Sequence, residues 1–416
     1  MIKRTLTFVV LLAALNTNAQ TQSIKATIDA GQAGSPISKR IYGQFIEHIA
    51  GIINTGIWAE MLEDRKWPHP RHSLDKNVIG RQQRDTLICS SLHRTKRIPG
   101  GDMALDLQAR AILDQMAGMG NPPVNELSVS EARQGSVAMA AMQGPPEPVA
   151  GVEDRKLSGP GGDLPVRIYM PFGEGPFAVL MYFHGGGWVI GDIESSDGLC
   201  RSLANAAGCI VVSVDYRLAP EHPFPAAVDD AFHATLWAAA NASSFGGDPL
   251  RIAICGDSAG GNLAAVVAQI ARDRGEPAIR FQLLIYPVTD AACDTPSYSE
   301  NAEGYFLTRE AMHWFWNHYV QKEADRSHPY ASPLRAGNLA DLPAALVITA
   351  EYDPLRDEGE RYAERMRAAG TPVQLRRFDG MIHGFFTMGA VIDQGRIAIQ
   401  QSAAALRTAF ELRQTK

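Results

Sequence analysis

The chain has 416 residues, 45% hydrophobic and 20% charged, with a formal net charge of −6. That is an ordinary globular balance, long enough for one large domain and a smaller piece. A mildly acidic chain gives no electrostatic ground for binding nucleic acid or an anionic membrane.

In chain order, the first element is a leader. Lys3 and Arg4, an uncharged apolar run over 6–15 and the small residues Thr17-Asn18-Ala19 follow signal-peptide grammar. The run is shorter than the roughly 20 apolar residues of a membrane span, and no other stretch qualifies. Residues 1–19 are expected to be a signal peptide, with a disordered or fused leader as the alternative. The protein is then secreted or periplasmic if the peptide is used, and cytoplasmic otherwise. Residues 20–100 form a second piece, closed by the breaker cluster Arg97-Ile98-Pro99-Gly100-Gly101. Residues 101–416 form the third.

Helical spacing covers 104–119, with Leu105, Ala109, Ile112, Leu113 and Met116 on one face, and Asn121-Pro122-Pro123 stops it. Ser128-Val129-Ser130-Glu131 is a capping box that opens a second helix toward Met142. Two such helices could cap a pocket or pack against a side, and the pattern favours neither. Strand-like runs follow at 166–170, 178–183, 210–214, 251–255, 281–286, 345–349 and 373–377. The middle ones are short, continuous and apolar, as in a buried parallel sheet. Helical patterns at 225–240, 261–272 and 356–369 separate some of them. The alternation predicts an α/β fold with a mostly parallel sheet, whose active residues gather at the carboxyl ends of the strands.

The cysteines, Cys89, Cys200, Cys209, Cys255 and Cys293, are odd in number and sparse, so no disulfide framework is expected. Cys200 and Cys209 read as small buried apolar residues, with pairing in an oxidising compartment left open. No CxxC or Cys/His ligand cluster occurs, so a structural zinc site is not expected.

Gly256-Asp257-Ser258-Ala259-Gly260 ends a strand and opens a helix. G-x-S-x-G in that context is a nucleophile elbow, with Ser258 lifted beyond the sheet edge and the Ala259 N–H placed to donate to an oxyanion. A chance match is the plain alternative. His184-Gly185-Gly186-Gly187 follows the strand at 178–183, and its bare amides suit an oxyanion hole. A phosphate cradle would need Gly-Lys-Ser/Thr, whereas Trp188 follows. His184 is expected to brace the loop, with Gly185 beside it. The α/β-hydrolase order of serine, acid, histidine then points to Asp353 in Glu351-Tyr352-Asp353-Pro354, after the strand at 345–349. Asp357, Glu351 and Asp290 are the competitors. His383 is the sole histidine beyond that strand, on a glycine-flanked loop, and is the expected base.

From about Asp102 onward, the chain resembles the bacterial hormone-sensitive-lipase family of esterases. The matching residues are His184-Gly-Gly-Gly-Trp188, Asp215-Tyr-Arg-Leu-Ala-Pro-Glu221, Gly256-Asp-Ser-Ala-Gly-Gly-Asn262, Asp353-Pro-Leu-Arg-Asp357 and His383-Gly-Phe385. The resemblance implies an eight-stranded sheet with a helical cap and cofactor-free hydrolysis of short- to medium-chain acyl esters, often by a homodimer. It assigns the oxyanion hole to Gly186, Gly187 and Ala259. Residues 217–220 read as an extended segment buttressing the HGGG loop. Trp314, Phe315, Trp316 and Tyr319 read equally as core or pocket border.

The 20–100 segment departs from that family. The stretch from Ile37 to His48, with Gly56-Ile57-Trp58-Ala59-Glu60-Met61, resembles the opening of an α-L-arabinofuranosidase. It is far too short for the roughly 250-residue barrel of that fold, so Glu47 is expected to be inert. The segment hints at plant polysaccharide. Hence an acetyl or feruloyl esterase on that material is the alternative to a simple carboxylesterase, and a carbohydrate-binding protein with a vestigial site is a third. The expected partner is a small ester.

Overall fold

The computed structural model describes residues 104–411. The leader, the arabinofuranosidase-like segment and Cys89 lie outside them. In chain order the elements are α1 (Leu107–Met119), α2 (Val129–Met139), β1 (Gly151–Gly159), β2 (Gly162–Met170), β3 (Phe177–Phe183), α3 (Asp197–Ala207) and β4 (Ile210–Val214). Then follow α4 (Ala226–Asn241), β5 (Gly247–Asp257), α5 (Ala259–Arg274), β6 (Phe281–Ile285), α6 (Pro296–Glu300) and α7 (Arg309–Tyr319). The chain closes with β7 (Ala344–Tyr352), α8 (Arg356–Ala368), β8 (Val373–Ile382) and α9 (Asp393–Glu411).

The strands form one eight-stranded sheet in the order β1-β2-β4-β3-β5-β6-β7-β8. β1 and β2 pair antiparallel, as do β2 and β4, and the rest are parallel. The expected mostly parallel α/β sheet is present. β1 escaped the sequence pattern because it is a charged edge strand, Gly-Val-Glu-Asp-Arg-Lys-Leu-Ser-Gly, with Leu157 its one buried residue. Charge on an edge blocks pairing with other chains and erases the apolar alternation that marks a strand.

β3 decides the layering. Its residues are buried on both faces. Val179, Met181 and Phe183 pack with apolar residues of α4, α5 and α8. Ala178, Leu180 and Tyr182 pack with α3 and α9 on the opposite face. Each fully buried Val, Leu, Met or Phe side chain contributes about 1.5–3 kcal/mol. Cys200, Cys209, Cys255 and Cys293 are buried and form no disulfide.

The two N-terminal helices have different places. α1 joins the α3–α9 layer through Ala109 and Ile112. It starts later than its apolar spacing suggests, because Asp106 caps it, its Oδ1 accepting the N–H groups of Gln108 (2.8 Å) and Ala109 (3.2 Å). α2, capped by the reciprocal Ser128–Glu131 bonds, reaches instead to the loop after β3. Among the described residues no helix is long and apolar enough to cross a membrane.

Register then positions the site. Phe183 of β3 lies opposite Gly256 of β5, and Asp257 of β5 lies opposite Ile285 of β6. Tyr352 of β7 lies opposite Ile382 of β8. The carboxyl ends of β3, β5, β7 and β8 therefore come level. The residues that follow them are His184, Ser258, Asp353 and His383.

Candidate active site

The turn between β5 and α5 is tight enough to exclude side chains. A Cβ on Gly256 would lie 2.1 Å from the Gly260 carbonyl oxygen, and one on Gly260 would lie 1.9 Å from that of Phe183. Ser258 has φ of 56°, a strained value for a residue with a Cβ. Its N–H donates to the Ile285 carbonyl at 2.9 Å, and its own carbonyl accepts from Asn262 and Val288. The backbone is thus locked, and the hydroxyl stands at the N-terminus of α5, the positive end of the helix dipole.

His383 meets that hydroxyl. Its Nε2 lies 3.0 Å from Ser258 Oγ, and its Nδ1 lies 2.7 Å from Asp353 Oδ2. Asp353 is fully buried and its Oδ1 accepts the Leu355 N–H at 2.9 Å. The Tyr286 ring backs the imidazole at 4.5 Å. A carboxylate on Nδ1 favours the tautomer with its proton there, leaving Nε2 as acceptor for a hydroxyl proton.

The competing acids are engaged elsewhere. Asp357 accepts from the Ser297 N–H, Glu351 from the Gly380 N–H, and Asp290 from Arg335. Glu358, one residue on from Asp357, is fully buried and takes the N–H groups of Thr289 and Asp290 on Oε1. Burial pushes its carboxyl up to about 8.

The HGGG loop curls beside the serine. The Gly186 carbonyl accepts from Val189 (3.1 Å) and Ile190 (3.0 Å), closing a turn. None of the Gly186, Gly187 and Ala259 N–H groups donates to another described residue. Among the described residues no group of three or more His, Cys, Asp or Glu could hold a metal.

The alpha/beta hydrolase fold family matches residues 180–387. The carboxylic ester hydrolase LipN of Mycobacterium tuberculosis is 42% identical over 304 residues, covering 72% of this chain and 81% of its own. An ethyl acetate hydrolase of Pseudomonas putida is 40% identical, covering 68% of this chain and 92% of its own. A solved hyperthermophilic esterase of Pyrobaculum calidifontis superposes with a TM-score of 0.70 at 44% identity, over 74% of this chain and 99% of that one. The chain belongs to the hormone-sensitive-lipase family of α/β-hydrolases and is a carboxylic ester hydrolase.

The supports of the esterase's HGGG loop were mostly invisible as separate motifs. Inside, the Gly185 N–H (3.0 Å) and the Tyr182 hydroxyl (2.5 Å) both donate to Asp257 Oδ1, so the residue before the serine ties the two loops together. Burial raises the Asp257 carboxyl, opposed by the Tyr182 hydrogen bond and the nearby His383. His184 is buried against the Tyr216 ring, stacked at 4.3 Å, with its Nδ1 at 2.7 Å from the Gly185 carbonyl. Burial pushes its pKa down to about 4, so it is a neutral brace. The 215–221 segment does buttress the loop: the Tyr216 hydroxyl donates to the His184 carbonyl and the Ala219 N–H donates to that of Trp188. Arg217 fixes this segment through a bidentate pair with buried Asp230, at 2.8 Å on each arm.

The aromatic cluster of α7 is largely core. Trp188 stacks on Tyr319 at 4.0 Å and meets Trp316 at 4.7 Å. Phe315 fills the space where a Gly187 Cβ would stand, while Trp314 is half-buried. Arg133 of α2 completes the set, and no motif announced it. Its signal was only its place on a capped helix. Two surface clefts, of about 430 and 510 Å³, are lined by Arg133 and Glu221 and not by Ser258.

Proposed function

We propose that the esterase hydrolyses short- to medium-chain acyl esters through an acyl-enzyme, with Ser258 as nucleophile, His383 as general base and acid, and Asp353 as the orienting acid. The observation that carries this is the continuous hydrogen-bonded chain Ser258 Oγ–His383–Asp353, with links of 3.0 and 2.7 Å. Ser258 Oγ attacks the ester carbonyl while His383 Nε2 takes its proton. The carbonyl oxygen becomes an oxyanion facing the N–H groups of Gly186, Gly187 and Ala259. Each such donor is typically worth about 10²–10³ in turnover.

Collapse expels the alcohol, which receives the proton from His383, and leaves the acyl group on Ser258. Water then gives its proton to His383 as it attacks the acyl carbon. The second tetrahedral species releases the carboxylic acid, and the proton returns to Ser258. Asp353 stabilises the imidazolium in both halves without taking the proton. A relative named for hydrolysing ethyl acetate supports a small acyl group as the first to test.

The test is Ser258→Ala assayed on p-nitrophenyl acetate, butyrate and octanoate, beside fluorophosphonate labelling of the native enzyme. The variant should lose turnover, on the order of 10⁴-fold or more, with its Tm retained and its label gone. Turnover persisting in a folded Ser258→Ala variant would overturn the assignment.

A further inference from the structure

We propose that Arg133, on α2 and ahead of the segment matched by the family, is a positioning residue for the oxyanion hole. This rests on the oxyanion role proposed above for the HGGG loop.

The argument starts from one peptide plane. The Gly186–Gly187 bond is trans, so its C=O and N–H point in opposite directions. The Gly186 carbonyl is drawn into the turn by the N–H groups of Val189 and Ile190. Whatever fixes that turn therefore aims the Gly187 N–H outward. Glycines at 185, 186 and 187 leave the loop with little stiffness of its own, so the fixing must come from elsewhere.

Arg133 supplies it. Its Nε donates to the Val189 carbonyl at 2.9 Å, on the far limb of the turn. Its Nη2 donates to the Ala219 carbonyl at 3.0 Å, and the Ala219 N–H in turn donates to the Trp188 carbonyl at 2.9 Å. One guanidinium thus closes a ring through Val189, Trp188 and Ala219. Glu221 holds the fork flat, its two oxygens accepting from Nη1 at 2.8 Å and Nη2 at 2.7 Å. Four bonds on one planar group leave it a single orientation.

Stability is not what this arrangement adds most. The paired side chains are 33% and 54% exposed, and an exposed pair contributes little. The clefts that both residues line mean that truncating Arg133 opens space to solvent rather than a core cavity. What the clamp adds is the aim of the Gly187 amide, which is useful only when an oxyanion forms.

The experiment compares Arg133→Met, Arg133→Lys and Glu221→Gln with the native enzyme. Competent sites are counted by fluorophosphonate labelling taken to completion. Then kcat per labelled site, KM for p-nitrophenyl butyrate and inhibition by a trifluoromethyl ketone are measured. The ketone's hemiketal presents an oxyanion without turnover, so it reads the hole directly. Arg133→Met should lower kcat per site about tenfold, since misplacement by a fraction of an ångström costs less than a lost donor. KM should stay within about twofold, and ketone affinity should fall by a factor similar to kcat. Arg133→Lys, which can reach one carbonyl but not span both, should lose less. Glu221→Gln should lose least, because both carbonyl bonds remain possible.

Unchanged kcat per site and unchanged ketone affinity, with only Tm lowered, would overturn the proposal and leave Arg133 as a fastener of α2. If Arg133→Met does not fold, Arg133→Lys decides by the same readouts. A failure of the parent assignment looks different: Ser258→Ala stays active and the native enzyme takes no label.

Discussion

The nucleophile elbow and the HGGG loop lie side by side at the end of the same sheet, yet different forces hold them. At the elbow the contacts are backbone to backbone: Ser258 bonds Ile285, Val288 and Asn262 through main-chain groups, and Gly256 and Gly260 sit where no Cβ fits. At the loop the contacts come from side chains far away in sequence: Asp257, Tyr216, Arg133, and Tyr319 stacked under Trp188. A sharp turn can be built from five residues, because sterics act locally. A loop with three glycines takes its shape from the walls around it.

The largest effect should come from touching the elbow itself. In Gly260→Ala the new Cβ would meet the Phe183 carbonyl oxygen at 1.9 Å and the His184 carbonyl oxygen at 2.6 Å. Neither is a flexible group, so the turn must move. We expect either loss of soluble protein or a fall in kcat/KM of at least about a hundredfold. Native-like turnover would end the claim that backbone packing sets the serine.

The next effect tests the loop's outer wall. Arg217→Met leaves Asp230, 1% exposed, buried without its cation. Breaking such a pair costs about 3–5 kcal/mol, measurable by urea denaturation. A loss below 1 kcal/mol would mean that the segment holds without the pair.

Acid and base should strain the two regions in opposite senses. His184, beside the loop, has its pKa lowered from 6.5 to about 4 by burial. Below pH 6.5 the unfolded chain takes up a proton that the folded one refuses, so stability present at neutral pH is lost as pH falls from 6.5 toward 4. The loss is on the order of 3 kcal/mol. Glu358, behind the elbow at Thr289 and Asp290, is raised from 4.5 to about 8. The folded state keeps a proton that the unfolded state releases, so its contribution is complete below pH 4.5 and is lost as pH rises toward 8. The two windows overlap between pH 4.5 and 6.5, where they offset each other, so denaturation free energies should fall below and above that range. Glu358→Gln should remove the alkaline slope and uncover the His184 slope between pH 4.5 and 6.5. An alkaline slope unchanged in Glu358→Gln would remove that residue from the account.

The smallest change is Tyr216→Phe. The ring stacked on His184 stays, while the 2.8 Å bond to the His184 carbonyl goes, together with the longer 3.4 Å contact to His184 Nδ1. We expect about 1 kcal/mol in stability and a few-fold fall in kcat. A larger fall in kcat than in stability would tie Tyr216 to the loop's aim.

Legibility followed the same divide. Ser258, Asp353 and His383, which the fold brings into contact, could be picked out as candidates because each sits in a short motif and the three follow a set order along the chain. The buried strands were readable from their apolar runs. β1 was not, since a charged edge strand carries no alternation. α3 and α9 passed unnoticed, although both pack on the sheet. Asp257 was in plain view inside its motif, but its bond to Gly185, 72 residues away, was not.

By itself, the amino-acid sequence determined the sheet's apolar strands, the glycine-flanked turn at Ser258 and which residues were candidates for the site. These depend on nearest neighbours: which side chains avoid water, and which residues lack a Cβ. Only the tertiary structure decided that Asp353 rather than Asp357 meets His383, and that Arg133, Asp257 and Tyr216 converge on one glycine loop. Those outcomes depend on directions and distances across the fold, and a hydrogen bond worth having at 2.9 Å is lost within an ångström.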